Sequence, residues 1–211
     1  MNSIFKMDGP VFTMINKIAD TVILSVLWVI FSLPIVTIGA SSAALYHTTH
    51  KAILKSEGYV FSTFFKSFKT NLKQGITLFL LCIPISIFAF VSFKFAESFS
   101  SGHILGYLYY GVTIFVSFIL LIMITHMFPI LSRFYMKTID LLKTSIALAI
   151  TRIGFTLLLL VIFVICITCV YLIPGSIFIL PVCYSIAAER LLEPGFEKMI
   201  DITSKATSAP A

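Results

Sequence analysis

The sequence predicts an all-α protein: a polytopic transmembrane helical bundle of about five spans carrying two cytoplasmic amphipathic helices. Three observations carry this expectation. Of 211 residues, 59% are hydrophobic and 11% charged, with a mean hydropathy of +1.05. A soluble domain carries about 25% charged residues, so this inventory does not build a water-facing surface. Several apolar runs approach or pass the roughly 18–20 residues that cross a bilayer as a helix. Those runs are continuously apolar, whereas the strands of a membrane barrel alternate.

The elements follow in order. Lys6, Asp8, the Gly9-Pro10 turn and Lys17 give a mixed start, where Phe12, Ile15 and Ile18 recur at the spacing of a short interfacial helix. The first span is expected at 19–38 and holds the single tryptophan, Trp28. A more polar helical stretch, about 41–56, carries His47, His50, Lys51 and Lys55. Residues 59–74 read as an amphipathic helix lying in the headgroup plane. Phe61, Phe65, Phe68 and Leu72 share one face, and Lys66, Lys69 and Lys73 form a basic face towards lipid or a partner.

The second span, about 75–95, contains Pro84; a short loop at 97–103 follows. The third, about 105–128, opens on Tyr107, Tyr109 and Tyr110, as expected at a membrane boundary. Pro129 marks its end or a kink. Residues 131–150 form the second basic amphipathic helix, with Arg133, Lys137 and Lys143. The fourth span is expected at 154–173, closed by Pro174-Gly175. The fifth, about 176–188, is short and carries Pro181. The tail, 189–211, is polar, and its last residues are expected to be disordered. One membrane domain, 1–211, accounts for the chain.

Charge sets the expected orientation. Five lysines follow the first span, four Lys or Arg follow the third and three lie in the tail. The other side holds Lys6, Lys17 and Lys94, so the balance is twelve against three. Basic loops face the cytoplasm, which puts the two large loops and the C-terminus there, in a multi-pass cell-membrane protein. A hairpin of 19–33 and 35–54 would raise the balance to fourteen against one, although its second arm would carry His47, His50 and Lys51. Five spans are favoured, with six or a re-entrant segment left open. The net charge of +6 sits in loops and does not indicate nucleic acid.

The stretch FSLPIVTIGASSAAL, 31–45, reads as a packing joint at the cytoplasmic end of a retained span. Pro34 removes a backbone donor and bends the helix. Gly39 and the small residues after it let another helix approach, with Thr37 and Ser41 as interhelical hydrogen-bonding candidates. Cleavage there as a signal peptide is the weaker reading, because the apolar run exceeds a usual h-region.

No catalytic, cofactor-binding or metal-binding set is expected. His47 and His50 are one turn apart but lack further ligands nearby in sequence. Cys166 and Cys169 lie mid-span, without the accessible, electropositive setting of a reactive thiolate. The spans hold no Asp or Glu apart from Asp20 at the start of the first. That disfavours an ion-coupled carrier, and an autonomous enzyme is not expected.

Leu27-Trp28, Leu33-Pro34-Ile35, Thr37, Gly39, Ala44-Leu45-Tyr46 and the helix from Phe64 to Gln74 resemble the YesL family of bacterial membrane proteins. The resemblance implies a Gram-positive polytopic membrane protein of a family without an established biochemical activity, associated with carbohydrate uptake and glycan degradation. It supplies no catalytic residues. The expectation is an accessory membrane protein that partners or regulates an ABC-type sugar transporter, embedded in the lipid bilayer and requiring no cofactor. A stand-alone carrier or channel and a lipid-binding scaffold are the alternatives.

Overall fold

The computed structural model describes residues 10–99 and 104–208. The mixed start at 1–9, with Lys6 and Asp8, the loop at 100–103 and the last residues, 209–211, lie outside the described residues. Apolar periodicity and sparse helix breakers make nearly everything described helical. Helix α1 (Pro10–Ser32) ends before the Leu33-Pro34 bend, and a 3₁₀ turn (Ile35–Thr37) leads into α2 (Ile38–Thr48). A π-helical turn (Thr49–Leu54) extends α2. Then come α3 (Val60–Phe99), α4 (Ile104–Arg133), α5 (Thr138–Thr151) and α6 (Ile153–Leu172). A second 3₁₀ turn (Pro174–Phe178) leads into α7 (Leu180–Ser208).

Among the described residues four helical segments are long and apolar enough to cross a membrane: Met14–Ser32, Val60–Ser98, Ile104–Arg133 and Ile153–Leu172. Their outward faces expose large apolar side chains such as Phe88, Phe90, Leu108, Phe115, Val161 and Val164. At roughly 25 cal/mol per Å² of exposed apolar surface, such a face is stable only against lipid. The expected fifth span, 176–188, is split between the second 3₁₀ turn and the start of α7 and is not among the four.

Three boundaries differ from the expected ones. The short interfacial helix around Ile15 and Ile18 is the first part of α1. The amphipathic segment 59–74 and the span 75–95 are one helix of 40 residues, α3, which runs through Pro84. At a 1.5 Å rise it is about 60 Å long, well beyond the bilayer core of about 30 Å. The tail is not separate either, because α7 continues to Ser208 and takes in Pro194.

The largest departure is at 31–45. Pro34 does not kink a continuous helix. Its backbone is extended (φ −72°, ψ 109°), and the chain reverses there. Thr37 Oγ1 donates to the carbonyls of Phe31 and Pro34, both at 2.7 Å, so it closes the turn instead of bridging two helices. Helices α1 and α2 then run antiparallel, joined by Ser32 Oγ–Ser41 Oγ (2.6 Å) and by Trp28 Nε1 donating to Ser42 Oγ (3.2 Å). Ser41 thus makes a hydrogen bond between α1 and α2. The hairpin held open as an alternative is the arrangement adopted, and it places the start of α1 and the end of α2 at one end of the bundle.

Polar residues on α2 are tolerable because the helix is wrapped by protein. Ala40, Ser41, Ala43, Ala44, Leu45, Tyr46, Thr48 and Thr49 are all buried. Its closest neighbour is α3. A β-carbon on Gly39 would lie 2.4 Å from the Gly75 carbonyl oxygen, and one on Gly75 would lie 2.6 Å from the Ala40 nitrogen. Only two glycines allow this backbone approach. The buried face of the first half of α3 is Val60, Phe64, Ser67, Asn71, Gly75 and Leu78.

Candidate functional site

The charged end of the bundle, where α2 ends, α3 and α6 begin and α4 ends, gathers the chemistry. Arg133 closes α4, and Glu189 and Glu193 lie one turn apart on α7. Arg133 Nη2 donates to Glu189 Oε2 (2.8 Å), to Glu193 Oε2 and to His50 Nδ1 (2.6 Å). Its guanidinium also sits over the Phe196 ring, 5.6 Å from the centroid. The Glu189 side chain is fully buried, while those of His50 and Arg133 are 13% and 16% exposed. Three helical segments distant in sequence are thus tied together by one cation.

The protonation states follow from the donors. A guanidinium only donates, so His50 Nδ1 is the accepting, unprotonated nitrogen. Burial, with Arg133 next in effect, brings the His50 pKa down to about 4. Burial raises the Glu189 carboxyl to about 7, against the pull of Arg133. The acceptor atoms of His50, Glu189 and Glu193 lie within 4.8 Å of one another, a spacing that also suits a metal. Here the cation they converge on is the guanidinium.

Beside this cluster lies a polar groove of about 510 Å³ between the start of α3 and the end of α4. Lys51, Lys66, Arg133 and His47 line it, with hydroxyls from Tyr59 and Ser62. His47 Nδ1 donates to the Ser132 carbonyl at 3.2 Å, and burial lowers its pKa. The chain enters α3 through Ser56 (φ 55°) and Gly58 (φ 83°), a left-handed turn that suits glycine and forms one wall. A second, apolar crevice of about 480 Å³ opens between α1, α2, α4, α6 and α7. Trp28, Tyr46, Phe128, Phe163 and Tyr184 line it.

The residues singled out from sequence fall into two groups. Lys66, Lys69 and Lys73 are exposed along α3, and Lys66 alone of them reaches the groove. The phenylalanines of this segment differ in burial. Phe64, off that face, is fully buried, Phe61 and Phe65 are 62% and 47% exposed, and Phe68 is half-buried against Phe31. Pro34, Thr37, Gly39 and Ser41 form the α1–α2 turn and the α3 crossing, away from the charged end. The cysteines make no disulfide. Sequence reasoning missed the pairing of Arg133 with Glu189 and Glu193. The signal available was Glu189-x-x-x-Glu193 on one helical face beside Ala188, a placement unsuited to a purely solvated pair.

Continuous apolar helices around a buried cation–carboxylate cluster define an all-helical integral membrane protein with one charged end. The comparisons narrow this class. A family described as "Protein of unknown function, DUF624" matches residues 21–93, which cover the α1–α2 hairpin and most of α3. The chain is 28% identical over 140 residues to the "Uncharacterized protein YesL" of Bacillus subtilis (strain 168). That match takes in 64% of this chain and 65% of YesL, so it spans just under two thirds of that relative's length. Over part of its length the chain is thus similar to this family and to YesL. No solved structure matches it.

Proposed function

We propose that the protein is a non-enzymatic accessory component of carbohydrate uptake, partnering or regulating an ABC-type sugar transporter through its charged end. The observation that carries the reading is the exposed basic surface formed by Lys66, Lys69 and Lys73 on α3, with Lys51 sharing the groove that Lys66 lines. A basic helical face at a membrane surface suits a partner with a complementary acidic surface. The carbohydrate context rests on the resemblance of Leu27-Trp28, Leu33-Pro34-Ile35 and the α3 segment to YesL. In this reading the charged end faces the cytoplasm: the α1–α2 hairpin brings Lys17 to the same side as Lys51 and Lys55, in keeping with the positive-inside rule.

A stand-alone sugar carrier fits less well. The crevice among the helices is lined mainly by aromatic and aliphatic side chains, which would leave a polyol's hydroxyls without partners. Purification in mild detergent from native membranes of cells growing on oligosaccharide tests the proposal. Transporter subunits should co-purify with the wild-type chain and be lost when Lys66, Lys69 and Lys73 are all changed to Glu. Their absence from the wild-type preparation, under conditions that preserve known transporter complexes, would overturn it.

A further inference from the structure

We propose that the polar groove between α3 and α4 binds a phosphate group that carries a polyol. The proposal stands on the groove itself and does not require a transporter partner. Lys51 and Lys66 line it, and neither makes an ion pair among the described residues. No Asp or Glu lines it. Two unneutralised ammonium groups around an acid-free groove concentrate positive potential, as an anion site requires. Arg133 forms part of the wall, with its Nη2 held by the carboxylate cluster and its buried Nε without a hydrogen-bond partner.

Size and the remaining lining choose among anions. The volume, about 510 Å³, lies within the roughly 300–1,000 Å³ of small-ligand sites, which leaves room beside a phosphate. The rest of the lining is rich in hydroxyls. Tyr59 and Ser62 are exposed, and Thr70 Oγ1 already donates to the Lys66 carbonyl, so it is left to accept. Such groups pair with the hydroxyls of glycerol or a sugar. Two sources carry this chemistry: the headgroup of an anionic phospholipid and a soluble phosphorylated polyol. Phe61 and Phe65, exposed on the same turns of α3, offer a surface for acyl chains beside the groove.

The full chain in phosphatidylcholine nanodiscs separates the sources. Calorimetric titration with glycerol 3-phosphate reads the soluble one. Native mass spectrometry after reconstitution with added phosphatidylglycerol reads the lipid one. At least one arm should show binding, weakened about tenfold or more in the Lys51→Gln/Lys66→Gln variant, since each charged hydrogen bond lost costs about that factor or more. The Lys69→Gln/Lys73→Gln variant has the same net charge but is altered outside the groove, and it should bind as wild type. Equal thermal midpoints for the two variants confirm that both are folded. Binding in neither arm, or equal loss in both variants, overturns the site. Inorganic phosphate binding as tightly as glycerol 3-phosphate overturns the polyol part. Because the Lys69/Lys73 variant alters the docking face and spares the groove, a failed partner interaction and a failed groove give different results.

Discussion

Arg133 at the end of α4 and Glu189 on α7 meet at 2.8 Å, with the glutamate side chain fully buried. They join the turn of the chain at the charged end to the last helix, across a separation of 56 residues. The bond takes its weight from its surroundings. An exposed pair such as Lys94–Glu97, at 3.0 Å, contributes about 0–1 kcal/mol. Removing one partner of a buried pair leaves the other uncompensated.

Arg133→Ala is therefore expected to destabilise the fold by about 3 kcal/mol or more. Glu189→Gln keeps an acceptor for Arg133 and discards a charge that burial opposes, so its effect should stay within about 1 kcal/mol. Thermal unfolding in detergent, followed by circular dichroism, checks both. Equal losses in the two variants would mean that the cluster is not organised around the guanidinium.

The same cluster sets a pH dependence. Glu189, raised from 4.5 to about 7, favours the folded state while protonated, and that contribution is lost as pH rises through 7. His50, lowered from 6.5 to about 4, favours the folded state while neutral, and that contribution is lost as pH falls through 4. The charged and titratable groups around the two are Arg133, Glu193, His47, Lys55 and Glu57. Between about pH 4.5 and 6.5 the two slopes oppose each other, so the wild-type midpoint should change little there, decline between about 6.5 and 7, and level off above that. In Glu189→Gln the midpoint should rise from pH 4 to 6.5 and level off. A decline above 6.5 that persists in the variant would assign the titration to another group.

The α2–α3 crossing depends on the absence of side chains. Gly39→Ala or Gly75→Ala forces a methyl against backbone atoms and should cost about 1–3 kcal/mol. Gly111→Ala, where an added carbon meets nothing within 4 Å, should be neutral or slightly stabilising. Thermal midpoints of the three variants decide the point.

On α3, Phe64→Ala should destabilise by about 3 kcal/mol, because its ring is fully buried against Phe31. Phe61→Ala and Phe65→Ala should change stability by about 0.5 kcal/mol or less, as exposed positions do. A comparable loss at Phe61 would mean that its ring is packed within the fold.

Topology can be read by labelling. In a background with Cys82, Cys166, Cys169 and Cys183 changed to Ser, single cysteines replacing Lys17 and Lys55 should react with an impermeant maleimide from the same side of the membrane. A cysteine replacing Lys94, near the far end of α3, should react from the other side. Lys17 and Lys55 labelled from opposite sides would contradict the hairpin.

Composition and run length were enough to establish an all-helical membrane protein, because the need to satisfy every backbone hydrogen bond within lipid leaves helices as the outcome for continuously apolar runs. Local sequence also marked the places where something happens: the break at Pro34, the small residues after Gly39, the basic face of α3. What each place does was decided by packing. Whether Pro34 bends a helix or reverses the chain depends on a buried slot for α2, and only the approach of Gly75 makes that slot. Which phenylalanine of α3 is buried depends on the neighbour it meets, since 3.6-residue periodicity allows adjacent faces almost equally. Arg133, His50, Glu189 and Glu193 each read as ordinary boundary residues in sequence. Their meeting as one cluster around the guanidinium needs three separate helical segments to arrive at the same end of the bundle, and that is a property of the tertiary structure alone.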